Sequence, residues 1–168
     1  MNSVIILAAG KSKRFDSDIP KQFHYLNNEM TILEKTISVF SENNNIHEII
    51  IVIPENWKSK LEKINKYKIV IGGSERSQSS LNGLLACSEN CKNVLIHDAA
   101  RPFVSNEIIS NCIKNLKNYD AVLPILSIND SVIEYKKNKI YYLNRNDIKI
   151  IQTPQGFKYS KILKTYMD

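Results

Sequence analysis

The stretch IILAAGKSKRF, residues 5–15, places an apolar run directly before small residues and a group of cations. Gly10-Lys11-Ser12 resembles the end of a P-loop, but that motif needs a glycine five positions earlier, where this chain has Ile5. The pattern Gly-x-Gly-x-x-Gly also fails, because Ser12 and Phe15 occupy its later glycine positions. Neither common phosphate-binding motif is therefore present, and the Lys-Ser pair is predicted to be incidental.

The same stretch still fits a phosphate-binding loop of another kind. Ala8-Ala9-Gly10 would let a ligand approach the backbone closely, and cations follow at positions 11, 13, 14 and 21. Backbone N–H groups combined with Arg and Lys suit a triphosphate, which carries about four negative charges. The alternative is a solvated basic loop, which the apolar strand that leads into it disfavours.

Short apolar runs recur along the chain, as is typical of parallel strands buried on both faces. The predicted strands are Ser3–Ala8, Glu48–Ile53, Lys68–Ile71, Val94–His97 and Ala121–Leu126. Helical stripes lie between them, at Leu33, Ile37 and Phe40; at Trp57, Leu61 and Ile64; at Leu81, Leu84 and Leu85; and at Ile109, Cys112, Ile113 and Leu116. Thr31 and Glu34 predict a capping box, and Ser105 is a predicted N-cap. This alternation predicts one α/β domain over residues 1–168, with a doubly wound, mostly parallel, Rossmann-like sheet.

One segment departs from the alternation. Val132–Tyr135 and Ile140–Leu143 flank the sequence Lys-Lys-Asn-Lys, which predicts a β-hairpin with a four-residue turn. A single hairpin is too small to be stable alone. The hairpin is therefore expected to pack on its own domain or to contact a second subunit.

Composition narrows the class of protein. Hydrophobic residues make up 43% of the chain and charged residues 24%, which is ordinary for a globular domain. The net charge of +6 raises the possibility of nucleic acid as a partner, but the lysines are scattered and no nucleic-acid motif is present, so nucleic acid is not expected. A membrane is not expected either, because no apolar run approaches the roughly 20 residues that a membrane helix needs. Without a recognisable leader, secretion is disfavoured, and the cytoplasm (or an organelle stroma in a eukaryote) is expected. Cys87 and Cys91, four apart as on one helix face, and Cys112 are predicted to be free buried thiols.

In doubly wound sheets, ligands bind beyond the carboxyl ends of the strands, so the loops there are candidate sites. Gly72-Gly73 would permit a close backbone approach, with hydroxyls from Ser77 or Ser79. Asp98 lies at a strand end before Ala99, Ala100 and Arg101, where it could hold Mg²⁺ on phosphates or simply cap a turn. The segment QTPQGF, residues 152–157, is predicted to be a loop before a last helix, Tyr159–Met167.

Together these loops resemble one family, the 2-C-methyl-D-erythritol 4-phosphate cytidylyltransferases of the non-mevalonate isoprenoid pathway. The resemblance rests on motifs that occur in order over nearly the whole chain: Ala8-Ala9-Gly10 with Arg14 and Pro20-Lys21-Gln22; Gly72-Gly73 with Glu75-Arg76 and Ser79; His97 to Phe103; Asp130-Ser131; Asn144-Arg145; and Gln152-Thr153-Pro154-Gln155. Each motif is weak alone, but the ordered set is specific.

The resemblance implies that CTP and a sugar-alcohol phosphate react to release pyrophosphate, with Mg²⁺ or another divalent cation as cofactor. It implies catalytic cations at Arg14 and Lys21, a metal ligand at Asp98, and a nucleotide pocket formed by Ala8, Ala9, Gly10, Gly73, Ser79 and Ala99. It implies acceptor contacts from Arg101, Ser131, Arg145 and Thr153. It also implies a homodimer in which the arm, about residues 130–146, contacts the partner, with Arg145 reaching the partner's acceptor.

Three departures from the family pattern are visible. Ser12 replaces a second glycine and Ser74 replaces a common acidic residue, while relatives continue for several dozen residues beyond the position of Asp168. The chain is therefore expected to be a fragment of a longer protein, either a single enzyme or a bifunctional one. The chain alone is expected to bind CTP with Mg²⁺ but to turn over poorly. The alternatives are a ribitol-5-phosphate cytidylyltransferase, a P-loop kinase that depends on Lys11, and a non-catalytic binding module.

Overall fold

The computed structural model describes residues 1–168 except 13, 14, 16, 62, 63 and 65. The strands in this part of the chain are β1 (Asn2–Leu7), β2 (Glu48–Ile53), β3 (Lys68–Ile71), β4 (Asn93–Asp98), β5 (Ala121–Val122), β6 (Ile125–Ser127), β7 (Val132–Lys136), β8 (Lys139–Leu143), β9 (Lys149–Ile151) and β10 (Gln155–Lys158). The α-helices are α1 (Ile32–Ser41), α2 (Arg76–Leu85), α3 (Asn106–Asn115) and α4 (Tyr159–Met167). Short 3₁₀ helices span Lys21–Phe23, Glu55–Lys60 and Arg145–Asp147.

Six strands form the central sheet, in the order β3-β2-β1-β4-β10-β5. The pairs β3-β2, β2-β1 and β1-β4 are parallel, and β10 is antiparallel to both of its neighbours. Successive residues of β1 face opposite sides, so Val4 and Ile6 pack with α1 and α3, whereas Ile5 packs with α2 and α4. Helices therefore cover both faces, and the predicted doubly wound, mostly parallel sheet is confirmed.

The predicted helix starts are also confirmed. Thr31 accepts a hydrogen bond from the Glu34 N–H, and the Glu34 carboxylate accepts one from the Thr31 N–H, so both halves of the capping box form. Ser105 accepts from the Ile108 N–H at the start of α3. These bonds satisfy N–H groups that have no partner inside their helices.

Three secondary-structure predictions were wrong. Of the predicted helical stripe Trp57, Leu61 and Ile64, only Trp57 lies in the 3₁₀ helix Glu55–Lys60, and no α-helix is present among the described residues of this segment. The predicted strand Ala121–Leu126 is two strands in different sheets, because Pro124 lacks the N–H that would continue the ladder. Residues 155–157 of the predicted loop 152–157 belong to β10, which lies in the interior of the sheet because it pairs antiparallel with both β4 and β5. A Cβ added to Gly156 would lie 3.1 Å from the Leu95 side chain and 3.2 Å from that of Leu116, so the strand packs closely there.

The prediction for the cysteines is partly correct. Cys87, Cys91 and Cys112 are free thiols, but Cys87 is half-buried. Helix α2 ends at Leu85, so Cys87 and Cys91 follow the helix instead of sharing one of its faces. In the described part of the chain, no helix is long and apolar enough to cross a membrane.

The hairpin arm consists of β7 and β8 and forms a separate two-stranded sheet. The predicted four-residue turn was wrong by one residue at each end, since Lys136 pairs with Lys139 and the turn contains Lys137 and Asn138 alone. Both turn residues have positive φ, 48° and 60°, as a two-residue type I′ hairpin turn requires. One face of the arm carries four exposed apolar side chains, Ile133, Tyr135, Ile140 and Tyr142.

Candidate active site

A first cavity of about 470 Å³ opens where β1, β3 and β4 end. Its lining brings together six predicted site residues, Ala9, Gly10, Gly73, Ser79, Asp98 and Ala99. Parallel pairing explains the meeting, because Leu7 at the end of β1 lies beside Asp98 at the end of β4. The cavity thus occupies the position where doubly wound sheets bind ligands.

Ala8 differs from its prediction. It does not line the first cavity but lies in the core with 1% of its surface exposed. Its N–H donates to the Val52 carbonyl at 2.7 Å, so Ala8 continues the sheet ladder by one residue. Ala8 therefore supports the loop from below.

The glycines differ in the space around them. A Cβ on Gly10 would meet no atom of the described residues within 4 Å, so this residue leaves open space beside the cavity. A Cβ on Gly72 would lie 2.3 Å from the Ala9 Cβ and 2.9 Å from Ser79 Oγ, which makes Gly72 necessary for packing. The Gly73 N–H donates to Ser79 Oγ at 3.1 Å and fixes the start of α2 against this loop.

The sequence reasoning assigned no role to Gln22, which holds the first loop in shape. This side chain is 4% exposed, and its Nε2 donates to the carbonyls of Ala8, at 2.6 Å, and Gly10, at 2.9 Å. A buried amide with both N–H groups engaged fixes two carbonyls of one loop. Gln22 belongs to the Pro-Lys-Gln motif, and this is the sequence signal from which its role could have been predicted.

Ser12, which replaces a glycine of the family pattern, lies on the lining of the first cavity. Its φ is 49°, in the left-handed region that favours glycine. The Ser12 Oγ donates to Gln22 Oε1 at 3.2 Å and accepts from the Lys21 N–H at 3.1 Å. These two bonds offset the unfavourable backbone conformation and fix the position of the backbone at Lys21.

Lys11 and Lys21, which the structure describes, line different cavities. Lys11, predicted to be incidental, lies on the first cavity, whereas Lys21 lies on a second one of about 650 Å³. Arg14 lies outside the described residues. The first loop therefore offers a cation to each cavity.

The second cavity adjoins the first, since Ala100 lines both. Arg101 and Thr153, two predicted acceptor contacts, line it together with Lys21 and Gln152. The rest of its wall is largely apolar, from Leu26, Ile32, Pro102, Phe103, Val104, Ile108, Pro124, Ile125 and Leu126. Ser131 and Arg145 line neither cavity; the Arg145 guanidinium donates to the Asn129 carbonyl at the base of the arm.

Asp98 lies between two arginines. Its Oδ1 accepts from Arg76 Nη2 at 3.2 Å and its Oδ2 from Arg101 Nε at 3.3 Å. The Arg101 guanidinium also donates to Gln152 Oε1, which ties the turn after β4 to the segment before β10. The carboxylate is about one third exposed, so it remains accessible from the first cavity.

His97 is fully buried behind Asp98 and packs edge-on against Phe40, with ring centroids 4.8 Å apart. Its Nε2 lies 3.0 Å from the Arg101 carbonyl, and its Nδ1 lies 3.0 Å from Thr153 Oγ1. Burial lowers the pKa of His97 from 6.5 to about 4. The ring is therefore neutral near pH 7.

The site fits Mg²⁺ that arrives with a nucleotide better than a metal held by protein alone. No group of three His, Cys, Asp or Glu side chains among the described residues could hold a metal ion. Mg²⁺ commonly binds through one or two carboxylates together with substrate phosphates and water. Asp98 lines the first cavity together with backbone groups, Lys11 and Arg76. This set of groups matches that arrangement.

Comparisons with known proteins agree with this geometry. A family model described as IspD, 2-C-methyl-D-erythritol 4-phosphate cytidylyltransferase, matches residues 2–168. A protein of that name from Clostridium botulinum is 46% identical over 96% of this chain and 74% of the relative. The crystal structure of 4-diphosphocytidyl-2C-methyl-D-erythritol synthase from Anaerococcus prevotii has a TM-score of 0.85 at 30% identity, covering 99% of this chain and 73% of that one. The bifunctional IspDF from Campylobacter jejuni has a TM-score of 0.85 at 29% identity, covering 98% and 42%.

Proposed function

Because the chain belongs to the 2-C-methyl-D-erythritol 4-phosphate cytidylyltransferase family, we propose that it joins CTP to that sugar-alcohol phosphate and releases pyrophosphate. The observation that carries the proposal is the pair of adjoining cavities. CTP would occupy the first cavity and the acceptor the second, with Asp98 on the first, Lys21 on the second and Ala100 on both. Two substrates held side by side can react in line.

In this reaction a phosphate oxygen of the acceptor attacks the α-phosphorus of CTP, and the bond to the bridging oxygen of pyrophosphate breaks. The attacking group is already an anion, so no protein nucleophile or general base is required. The barrier comes from repulsion between anions and from the charge that builds on the leaving group. Fixed cations therefore supply most of what the protein must contribute.

The roles of the residues follow from their places. Ala9, Gly10, Gly73, Ser79 and Ala99 would surround the nucleotide, with Ala8 beneath them. Lys21, and Arg14 as the sequence predicts, would stabilise the reacting phosphate and the leaving pyrophosphate. Asp98 would hold Mg²⁺, which would supply positive charge next to the nucleotide phosphates. Arg101 and Thr153 would contact the acceptor.

We also propose that the chain acts as a homodimer through its arm. The apolar face of Ile133, Tyr135, Ile140 and Tyr142 is exposed, and a two-stranded hairpin gains stability by packing such a face. Ser131 and Arg145 lie near the base of this arm, away from both cavities of their own chain. Contact across a dimer would give them a role at the partner's acceptor site.

The test of the function is an assay of pyrophosphate release and of the CDP-linked product. CTP with 2-C-methyl-D-erythritol 4-phosphate and Mg²⁺ should support turnover, and EDTA should abolish it. Turnover with ribitol 5-phosphate alone would instead assign the related acceptor. ATP binding that depends on Lys11 would indicate a kinase, and calorimetry without any nucleotide binding would indicate a non-catalytic module.

A further inference from the structure

The buried ring of His97 lies between the turn at Arg101 and the side chain of Thr153. It follows β4 residue Ile96 and precedes Asp98, and its two ring nitrogens contact different segments of the chain. Thr153, one of these contacts, also lies 3.4 Å from the Asp98 N–H through its Oγ1. The Thr153 hydroxyl thus contacts both Asp98, at the end of β4, and His97.

The bonding partners determine which nitrogen carries the proton. The Arg101 carbonyl can only accept, so the contact at 3.0 Å requires His97 Nε2 to donate. A fully buried imidazole that contacts a carbonyl and a hydroxyl is neutral and has one N–H, so Nδ1 accepts, and the donor there is the Thr153 hydroxyl. The Thr153 Oγ1 then accepts from the Asp98 N–H.

We propose that His97 is a positioning residue for the acceptor site, because its Nδ1 holds the Thr153 hydroxyl with the proton turned away from the second cavity. This inference rests on the proposed function. With its proton engaged, Thr153 offers the cavity a lone pair. That suits an alcohol O–H of a sugar alcohol, and it does not suit a phosphate oxygen, which needs a donor.

The bond on the other side of the ring has a different role. The Nε2–H bond secures the backbone of the turn at Arg101, whose guanidinium has its own contacts with Asp98 and Gln152. Loss of this bond should lower stability while the guanidinium stays in place. The two sides of the ring can therefore be tested separately.

Two substitutions separate the roles of the two His97 ring nitrogens. His97→Asn ends near the position of Nδ1 and can still accept from Thr153, whereas His97→Gln ends near Nε2 and can still donate to the Arg101 carbonyl. His97→Gln should raise the KM for the acceptor about three- to tenfold, the cost of one buried hydrogen bond, and leave the KM for CTP within about twofold. His97→Asn should change the KM for the acceptor less than His97→Gln does.

Two further measurements guard against a purely structural effect. His47→Gln is the matched control, because His47 Nδ1 accepts from the Asn2 N–H at the opposite edge of the sheet. This substitution should leave both KM values unchanged. In a Thr153→Val background, His97→Gln should have no further effect on the KM for the acceptor, because the shared bond is already lost. Equal increases in both KM values, or additive effects, would overturn the proposal.

Nitrogen NMR tests the bonding pattern without any turnover. The chain has three histidines, so the ring signals of His97 can be assigned by substitution. Nδ1 should be unprotonated and Nε2 protonated, and Thr153→Val should shift the Nδ1 signal. A protonated Nδ1 at pH 7 would refute the inference even if cytidylyl transfer is observed. Absent transfer with the expected tautomer would refute the proposed function instead.

Discussion

Arg76 forms an ion pair with Asp98, the residue whose carboxylate is proposed to bind the metal. Its guanidinium donates to Asp98 Oδ1 from Nη2 at 3.2 Å and from Nε at 3.4 Å, while Arg101 contacts Oδ2. A cation that binds Oδ1 would compete with Arg76, which lines the first cavity and, once displaced, would be free to contact nucleotide phosphates.

Arg76→Gln should change metal and nucleotide affinity in opposite directions. Mn²⁺, titrated by EPR as a probe for Mg²⁺, should bind the nucleotide-free protein about threefold more tightly, because a competing half-exposed cation is removed. The affinity for CTP with Mg²⁺, measured by calorimetry, should fall. Lys68→Gln, which removes a cation paired with Glu48 at 3.9 Å, is the control. Unchanged or weaker Mn²⁺ binding would contradict the displacement.

Lys21→Ala should lower kcat by about 100-fold and change the affinity for CTP little, because its charge is needed as negative charge builds in the transition state. Lys11→Ala should instead weaken CTP binding, since Lys11 lines the first cavity. Rapid-quench kinetics and calorimetry measure the two effects. An unchanged rate for Lys21→Ala would remove this residue from the catalytic set.

Gly10→Ala should preserve stability and weaken CTP binding, because the added Cβ meets no atom within 4 Å in the part of the chain that the structure describes and would occupy space beside the ligand. Gly72→Ala should lower the free energy of unfolding by about 1–3 kcal/mol, because its Cβ would overlap Ala9. Urea unfolding and CTP titration of both variants measure this contrast. Full CTP affinity in Gly10→Ala would show that the nucleotide does not approach this residue.

The pH dependence of stability should carry a contribution from His97. Its pKa is 6.5 when unfolded and about 4 when folded, so the unfolded chain binds the proton first as the pH falls. This contribution is complete above pH 6.5 and is lost between pH 6.5 and 4, by about 3 kcal/mol at ~1.4 kcal/mol per pH unit. Urea unfolding of the wild type and His97→Gln should show a difference in stability that shrinks over this range. A difference that stays constant would show that the ring is not held neutral by burial.

Tyr142→Glu should weaken the dimer, because this side chain, 84% exposed, lies on the apolar face of the arm. Tyr119→Glu is the matched control on an exposed tyrosine outside the arm. Sedimentation velocity measures the association. A wild type that is monomeric at all concentrations would refute the arm interface, and mixed dimers carrying Arg145→Ala in one chain would show whether Arg145 acts across it.

The sequence by itself determined the four parallel strands of the sheet and most of the first cavity. Uninterrupted apolar runs such as residues 48–53 can be buried on both faces only between two layers of helices, so the runs predict the architecture. Small residues and an acid after such strands predict a ligand site, because the ends of parallel strands meet at one edge.

Only the tertiary structure decided which residues act together across distant parts of the chain. Gln22 and Ala8 are 14 positions apart, and His97 and Thr153 are 56 apart, so no local periodicity links them. Residues 155–157 were predicted as part of a loop because they contain glycine and follow a proline, yet antiparallel pairing with β4 makes them part of an interior strand. That pairing places Thr153 against His97, and the site is completed by contacts that local sequence patterns do not encode.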